Sequence, residues 1–141
     1  MDIAMIGLGR MGANMVRRLA GGGARVRAFD VSAAARAALK DVPQAQTFDT
    51  LEALVSALPA PRVVWLMLPS GAISEDTIAR LTSLLSAGDT LVDGANAYYK
   101  DAMRRADELA AHSIAFVDAG VSGGVWGLTE GYGLMVGGSD E

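Results

Sequence analysis

The sequence predicts an α/β fold built on a doubly wound, mainly parallel sheet, and two observations support this prediction. Short apolar runs alternate with longer, alanine-rich stretches along the chain, so strands and helices are expected to follow one another in turn. The strongest run, at 63–68, contains no polar residue, which is typical of a strand buried between two helix layers. Right-handed crossovers then give a doubly wound topology, and 141 residues suit one such domain.

The predicted strands are apolar runs that end at, or just before, a glycine, a proline or an acid. In chain order they span 3–6, 25–29, 45–48, 62–68, 90–93, 114–118 and 134–136. The run at 45–48 is the least apolar of them, and the run at 134–136 lies within a glycine-rich segment.

Each predicted helix lies between two strands and is bounded by capping or breaking residues. The helices span 10–20, 33–40, a short stretch that ends at 58, then 74–86 and 99–112. The glycines Gly21–Gly23 stop the first helix. Ser32 is placed to cap the second helix, Asp49 or Thr50 the third, and Ser74 opens the fourth.

The composition excludes several classes of function. A net charge of −4 and a sequence pI near 4.9 argue against nucleic acid or an acidic membrane as partner, because both bind clustered Lys and Arg. There is no cysteine and only one histidine, His112, so disulfides, thiolate nucleophiles and multi-histidine metal sites are excluded and no metal is expected. The apolar run at 63–68 is too short to span a bilayer, and the first residues carry no basic stretch. A soluble, cytoplasmic protein is therefore expected.

A glycine-rich turn follows the first strand and opens the first helix, which is the setting of a dinucleotide-binding fingerprint. The turn reads Gly7, Leu8, Gly9, Arg10, Met11 and Gly12. In this pattern Gly7 permits a tight turn, Gly9 lets a pyrophosphate approach the backbone, and Gly12 lets the helix pack close to the strand. The N–H groups and the dipole of the helix N-terminus would then bind the phosphates.

An acid at the end of the second strand is the other feature of this Rossmann-type fingerprint. Asp30 lies 18 residues after Gly12, where a carboxylate accepts hydrogen bonds from the adenosine ribose and repels a 2′-phosphate. Because Val31 rather than an arginine follows it, NAD is favoured over NADP as the cofactor. The alternative is a glycine-rich turn followed by an acidic helix cap, with no ligand.

Four motifs, in order, resemble those of the 6-phosphogluconate and β-hydroxyacid dehydrogenase superfamily. They lie at 7–15, 67–71, 93–96 and 118–128, and the segment 131–138 fits as well. Asp-Gly-Ala-Asn at 93–96 is similar to the Asp-Gly-Gly-Asn of the 6-phosphogluconate branch, and Val-Trp-Gly-Leu at the end of the fourth motif resembles its shorter, NAD-preferring form. Ala95 stands where that branch usually has glycine, so some strain is expected there if the position needs a positive φ.

The resemblance implies that residues 1–141 are the NAD-binding domain of an oxidoreductase of 6-phosphogluconate dehydrogenase type. Such an enzyme oxidises 6-phosphogluconate, a small phosphorylated sugar acid, to ribulose 5-phosphate and CO2, in the pentose phosphate pathway or in gluconate utilization. By resemblance, the cofactor-binding residues are Gly7, Leu8, Gly9, Arg10, Met11, Gly12, Asp30, Leu68, Pro69, Ser70 and Asn96. The substrate-binding residues are Asn96, Ser122, Gly123 and Gly124.

The catalytic lysine of this superfamily has no counterpart in the sequence. It lies on a helix after the nucleotide-binding domain, so its position is expected beyond Glu141, together with a large helical domain. The two lysines present, Lys40 and Lys100, lie in no matching motif, and the chain alone is expected to be inactive. Without the helical domain an apolar face would be exposed and could mediate a homo-oligomer. Its residues would be Val125, Trp126 and Leu128.

Several alternatives remain open at this point. The chain could belong to a β-hydroxyacid dehydrogenase or an imine reductase, although the motifs at 93–96 and 125–126 favour the 6-phosphogluconate branch. It could also be a non-catalytic NAD-binding fragment. Asn96 could be only a turn residue after a strand, and the segment 122–124 only a flexible connection.

Overall fold

A computed structural model, which describes residues 1–139, confirms the doubly wound α/β fold. Its strands are β1 (Asp2–Ile6), β2 (Arg25–Phe29), β3 (Ala45–Phe48), β4 (Val63–Leu66), β5 (Thr90–Asp93), β6 (Ala115–Ser122) and β7 (Gly133–Gly138). Its helices are α1 (Arg10–Gly21), α2 (Ala33–Ala37), α3 (Leu51–Ser56), α4 (Ala72–Leu84), α5 (Tyr99–Ala110) and α6 (Gly127–Glu130), and a 3₁₀ turn spans Gly124–Trp126. Across the described residues, no helix has both the length and the apolarity needed to cross a membrane.

The seven strands form one sheet in the order β3-β2-β1-β4-β5-β6-β7. Neighbouring strands are parallel except β6 and β7, which are antiparallel. The chain builds outward from β1 on one side and from β4 on the other, so the winding direction reverses between these two strands. In open α/β sheets, ligands bind outside the carboxyl ends of the strands at such a reversal.

The register aligns the carboxyl ends of the central strands. Ile6 of β1 pairs with Phe29 of β2 and with Leu66 of β4. Leu66 pairs with Asp93 of β5, and Asp93 pairs with Asp118 of β6. The loops that follow these strands therefore leave the sheet at one edge, where the predicted site residues lie.

A buried apolar layer on each face of the sheet holds this edge in place. On one face, Leu66 belongs to a cluster with Leu81 of α4 and Leu109 of α5. On the other face, Met5 belongs to a cluster with Val16 of α1. Each fully buried side chain of this size contributes about 1.5–3 kcal/mol to stability, so the loops that form the site start from a rigid support.

Strand β6 is longer than the sequence predicts. The apolar pattern predicts an end at 118, but the strand continues to Ser122 because β7 pairs with it as far as Gly133. The segment 120–122 is therefore part of the sheet, and Ser122 is fixed by strand pairing rather than carried on a flexible connection.

The start of α4 also differs from the prediction. The helix begins at Ala72 with Gly71 as its N-cap, whereas the sequence predicts a start at Ser74. Ser74 is buried in the first turn, and its hydroxyl donates to the Pro69 carbonyl at 2.8 Å. This bond ties the loop after β4 to the helix that follows it. In the second helix, α2 ends at Ala37 instead of the predicted 40.

Candidate functional site

The loops after β1, β2, β4 and β5 surround a cleft of about 420 Å³. Its lining residues are Gly7, Gly9, Arg10, Met11, Gly12, Asp30, Met67, Leu68, Pro69, Gly94, Ala95 and Asn96. Of the predicted cofactor residues, only Leu8, which is buried, and Ser70, which is exposed in the loop before α4, are not in this lining. The sequence prediction did not include Met67, Gly94 and Ala95 as cofactor residues, although they lie within the motifs at 67–71 and 93–96.

The three glycines of the first turn have different physical roles. Gly7 has a φ of +93°, and a side chain there would collide with the carbonyl oxygen of Met67. A side chain at Gly12 would collide with the carbonyl oxygen of Gly7. A Cβ at Gly9, by contrast, would meet no atom within 4 Å. Gly7 and Gly12 are therefore required by the fold itself, whereas the space above Gly9 is left open in the cleft.

The N-terminus of α1 makes this open space suitable for an anion. The helix begins at Arg10 directly after Gly9, no side chain caps it, and its first turn holds no acidic residue. The N–H groups of a first helical turn have no carbonyl partner within the helix, and the helix dipole is positive at this end. The residues present thus fit a bound pyrophosphate, as the sequence predicts from the glycine-rich turn between a strand and a helix.

Asp30 is held in place by backbone groups on both sides of its carboxylate. Oδ2 accepts a hydrogen bond from the Leu8 N–H at 2.7 Å, and Oδ1 accepts one from the Ser32 N–H at 2.8 Å. A carboxylate oxygen can accept more than one hydrogen bond, so both oxygens remain able to bind ribose hydroxyls. The arrangement fixes the acid against the glycine-rich turn.

An arginine that sequence reasoning missed lies beside this acid. Arg36 donates to the Asp30 carbonyl oxygen at 2.6 Å and forms an ion pair with Asp49 at 3.0 Å. The signal in the sequence is an arginine six residues after Asp30, within α2, which a prediction based on position 31 alone does not include. A longer contact to the Val31 carbonyl at 3.4 Å means that the guanidinium is already engaged by three protein oxygens.

A smaller, mainly apolar recess of about 250 Å³ adjoins the cleft at Asp30. Its lining residues are Ile6, Gly7, Phe29, Asp30, Val31, Leu68, Pro69, Ile73 and Thr77. An apolar slot next to a fixed carboxylate has the character needed to hold a flat aromatic base beside its ribose.

Asn96 lies between the main cleft and a second cleft of about 290 Å³, and it lines both. Its Oδ1 accepts the Val121 N–H at 3.0 Å, and its Nδ2 donates to the Val121 carbonyl at 3.4 Å. The amide thus pairs with β6 in the way that a strand residue would. The left-handed backbone needed here is at Asn96, with a φ of +52°, and not at Ala95. The strain predicted for Ala95 is therefore wrong, because the positive φ falls one residue later. Asparagine tolerates this left-handed region far better than most residues.

The predicted substrate residues only partly come together. Ser122 lies at the end of β6 and lines the second cleft with Asn96. Gly123 and Gly124 follow it with φ values of +139° and +47° and are not in that lining. Backbone N–H groups in such a turn can still bind an anion at the rim of the cleft.

The apolar face predicted near the same turn is partly described. Trp126 is 72% exposed and Leu128 is 37% exposed. The side chain of Val125 lies outside the described part of the structure. The two described side chains offer apolar surface to solvent, and self-association through them remains a prediction.

A cluster of charged residues lies behind the loop that carries Asn96. Asp93 and Arg105 are both 1% exposed and form an ion pair at 2.6 Å. Arg105 also contacts Glu75 at 2.6 Å. Burial opposes ionisation of Glu75, but the hydrogen bonds and charges of Arg105 and Arg104 outweigh it and hold the Glu75 pKa below its ordinary value.

Asp118 lies beside this cluster, paired with Asp93 across two parallel strands. Burial raises the pKa of Asp118 above its ordinary value, the negative charge of Asp93 raises it further, and Arg105 partly opposes both. A raised pKa in the folded state means that the charged carboxylate costs stability once the pH rises above that pKa.

Replacing Asp118 with asparagine should therefore stabilise the domain at neutral pH. We expect a rise in Tm of about 1–3 °C near pH 7 and no gain near pH 3, where the carboxyl is protonated in both states. Thermal unfolding at the two pH values measures this, with Asp107→Asn on the exposed side of α5 as the matched control. An equal gain at both pH values would contradict the stated cause.

The fold and the cleft at its switch point define a domain of the dinucleotide-binding class. The comparisons with known proteins are more specific: the family model for the NAD binding domain of 6-phosphogluconate dehydrogenase matches residues 2–141, and the chain belongs to this family. The resemblance found in the sequence motifs is thus confirmed.

Similar proteins of known sequence support the same family assignment. The chain is 40% identical to a decarboxylating 6-phosphogluconate dehydrogenase of Drosophila melanogaster, over 99% of this chain and 30% of that protein. It is 41% identical to an NAD(+)-dependent, decarboxylating 6-phosphogluconate dehydrogenase of Haloferax volcanii, over 98% of this chain and 45% of that protein. The chain therefore spans less than half the length of each of these relatives.

Solved structures agree in fold over nearly the whole chain. Plasmodium falciparum 6-phosphogluconate dehydrogenase matches with a TM-score of 0.90 and 27% identity, over 99% of this chain and 31% of that one. Mycobacterium tuberculosis 3-hydroxyisobutyrate dehydrogenase matches with a TM-score of 0.88 and 30% identity, over 99% and 47%. An imine reductase of Bacillus cereus, at 20% identity, a TM-score of 0.75 and coverage of 86% and 41%, shares the fold.

Proposed function

We propose that the cleft binds a nicotinamide dinucleotide with its pyrophosphate above Gly9. The observation that carries this proposal is the combination of open space at Gly9 with the uncapped N-terminus of α1. The carboxylate of Asp30 would bind the adenosine ribose, and the adjoining apolar recess would hold the adenine. Titration of the protein with NADH, followed by nicotinamide fluorescence or calorimetry, tests the proposal directly; saturable binding supports it and its absence contradicts it.

Within this site we propose a preference for NAD over NADP. The fixed carboxylate of Asp30 would lie near the 2′ position and would repel a phosphate there. Arg36, the nearby cation, is paired with Asp49 and would therefore attract a 2′-phosphate less strongly than a free guanidinium would. The Haloferax volcanii relative is named as NAD(+)-dependent, whereas the Plasmodium falciparum structure is described in complex with its cofactor NADP+. Similar proteins therefore include users of both cofactors.

Replacing Asp30 with asparagine should narrow this preference. The change removes the negative charge but keeps an oxygen that can accept one of the two backbone N–H groups, which Asp30→Ala would leave unpaired. We expect the ratio of NADP to NAD dissociation constants to fall about tenfold, or ~1.4 kcal/mol. This change in binding free energy is well below the interaction energy of ~4 kcal/mol between two unit charges 4 Å apart near a protein surface.

Calorimetric titration with both cofactors measures the ratio. Asp107→Asn is the matched control, because Asp107 is an exposed acid of α5 that lines neither the cleft nor the adjoining recess. An unchanged ratio in Asp30→Asn, or a wild-type protein that binds NADP as tightly as NAD, would contradict the assignment.

We further propose that the domain serves the oxidative decarboxylation of 6-phosphogluconate to ribulose 5-phosphate and CO2. A bound nicotinamide would supply the hydride acceptor for oxidation at C3 of the substrate; the C3 hydroxyl would lose its proton, and the resulting β-keto acid would release CO2. Asn96 would bind a substrate oxygen with the N–H of its amide that Val121 does not use, because it faces both clefts. Ser122 would bind the carboxylate end of the substrate through its hydroxyl, with the N–H groups of Gly123 and Gly124 at the rim.

A second candidate is a β-hydroxyacid dehydrogenase. The 30% identity to Mycobacterium tuberculosis 3-hydroxyisobutyrate dehydrogenase favours it, while the higher identities to 6-phosphogluconate dehydrogenases favour the first proposal. Saturation-transfer NMR of the protein with NAD and each of the two acids separates them. Contacts with 6-phosphogluconate that Ser122→Ala weakens support the first proposal, and contacts with 3-hydroxyisobutyrate alone support the second.

A further inference from the structure

Arg105 connects two walls of the cleft without lining it. Its Nη1 donates to Asp93 Oδ2 at 2.6 Å, and its Nε and Nη2 donate to Glu75 Oε1 at 3.1 and 2.6 Å. Asp93 ends β5, and Glu75 lies in the first turn of α4, directly after the loop that follows β4. We infer that Arg105 is a positioning residue for the nicotinamide half of the site, an inference that rests on the proposed dinucleotide binding.

The connection from Arg105 to the cleft is continuous. While Oδ2 of Asp93 binds the arginine, its Oδ1 accepts the Ala95 N–H at 3.0 Å. This bond closes the turn that places Asn96 in its left-handed conformation, from which the amide reaches Val121. Each link is a direct hydrogen bond or a peptide neighbour, so the orientation of Arg105 is transmitted to the Asn96 amide.

The neighbouring arginine shows which feature matters. Arg104 reaches the same Glu75 oxygen at 2.7 Å and also binds Glu108 at 3.0 Å, but its contacts do not include Asp93. Its side chain is 45% exposed, whereas that of Arg105 is 1% exposed. Exposed ion pairs contribute little, while removing one partner of a buried pair leaves an uncompensated charge. Of these two arginines, Arg105 is therefore the one that holds the Asp93 carboxylate.

The location of this cluster predicts a selective effect. A doubly wound sheet binds a dinucleotide with one mononucleotide half on each side of its switch point. Asp30, after β2, marks the adenosine half, and the end of β5 with Asn96 lies on the other half. A change at Arg105 should therefore affect the nicotinamide end of the ligand and leave the adenosine end alone.

The test compares NADH with ADP-ribose, which lacks the nicotinamide. Arg105→Lys keeps the positive charge but replaces the planar fork, which joins two acids, by a single point donor. We expect its dissociation constant for NADH to rise about tenfold, or ~1.4 kcal/mol, and that for ADP-ribose to change by less than about twofold. Hydrogen exchange of the Val121 amide, which Asn96 protects, should accelerate in the same variant. Arg104→Gln is the matched control and should alter none of these quantities.

If Arg105→Lys does not fold, the double variant Asp93→Asn with Arg105→Gln removes both buried charges together. It should show the same selective loss of NADH binding, because neutral hydrogen bonds hold the turn more weakly than charged ones. A parallel loss of NADH and ADP-ribose binding would show a merely structural role and overturn the inference, as would unchanged binding of both. A wild-type protein that binds neither ligand would contradict the proposed function instead. In that case the hydrogen-exchange rate of the Val121 amide is the remaining test of the positioning role of Arg105. An unchanged rate in the variant would overturn that role.

Discussion

Replacing Gly9 with valine should abolish dinucleotide binding while the domain stays folded. The Cβ at this position meets no protein atom within 4 Å, so the branched side chain would point into open space in the cleft. That space is where we place the pyrophosphate, next to the N-terminus of α1. A branched side chain there would separate the phosphates from the helix N–H groups. We expect the affinity for NADH to fall by about 10²-fold or more, equivalent to ~2.7 kcal/mol.

The other two glycines of the turn show why the fold should survive this change. Side chains at Gly7 and Gly12 would collide with backbone carbonyl oxygens, which cannot move without breaking the packing of α1 on β1. Gly12→Ala should therefore destabilise the domain, whereas Gly9→Val should cost no more than the ~1 kcal/mol typical of a poor N-cap residue. Thermal unfolding of the two variants separates loss of fold from loss of binding.

Gly21→Val is the matched control for the Gly9 experiment. It introduces the same side chain at the other end of α1, where a Cβ also meets no atom within 4 Å. This variant should bind NADH like the wild type. If calorimetry showed unchanged NADH affinity in a folded Gly9→Val protein, the assignment of the glycine-rich turn to the pyrophosphate would be wrong.

The sequence contains most of the information for the fold because apolar strands and glycine turns are local signals. The runs that became β1, β2, β4 and β5 are recognisable from their composition, and the glycine pattern follows the first of them directly. The extension of β6 to Ser122 could not be predicted in this way. It depends on pairing with β7 across a glycine-rich segment, which has no apolar periodicity of its own.

The candidate site could be predicted in part for the same reason. The glycine-rich turn and Asp30 have a fixed spacing along the chain, so sequence alone indicates them. The pairing of Asn96 with Val121, 25 residues away, is a property of the folded sheet. Arg105 looks like a residue of a solvated helix face in the sequence. It is buried because the end of β5 and the start of α4 meet behind it, which no local pattern records.

A polypeptide of residues 1–141 should not oxidise 6-phosphogluconate at a useful rate. Among the described residues that line the two clefts, Arg10 and Asp30 are the ionisable ones, and neither lies beside Asn96 and Ser122 in the second cleft. A positioned general acid or base typically contributes about 10²–10⁴-fold to a rate. Resemblance to the superfamily assigns this role to a lysine of the helical domain, and Lys100 does not replace it, because it lies on α5 over the ring of Tyr99.

The rate should recover when the residues of a helical domain are supplied. We expect a fusion of this domain to the remaining residues of the Haloferax volcanii relative to form NADH from NAD and 6-phosphogluconate at least about 10²-fold faster than residues 1–141 alone, because it supplies the acid–base group, orients the substrate and excludes water. Absorbance of NADH measures both rates, and NADH binding by both proteins is the control that the cofactor half is intact. Equal rates would mean that a base within residues 1–141 performs the proton transfer. The fusion's dependence on Asn96, measured with Asn96→Ala, then decides whether the clefts described here hold the substrate: a fusion whose kcat and KM are both unaffected by this change would contradict that placement.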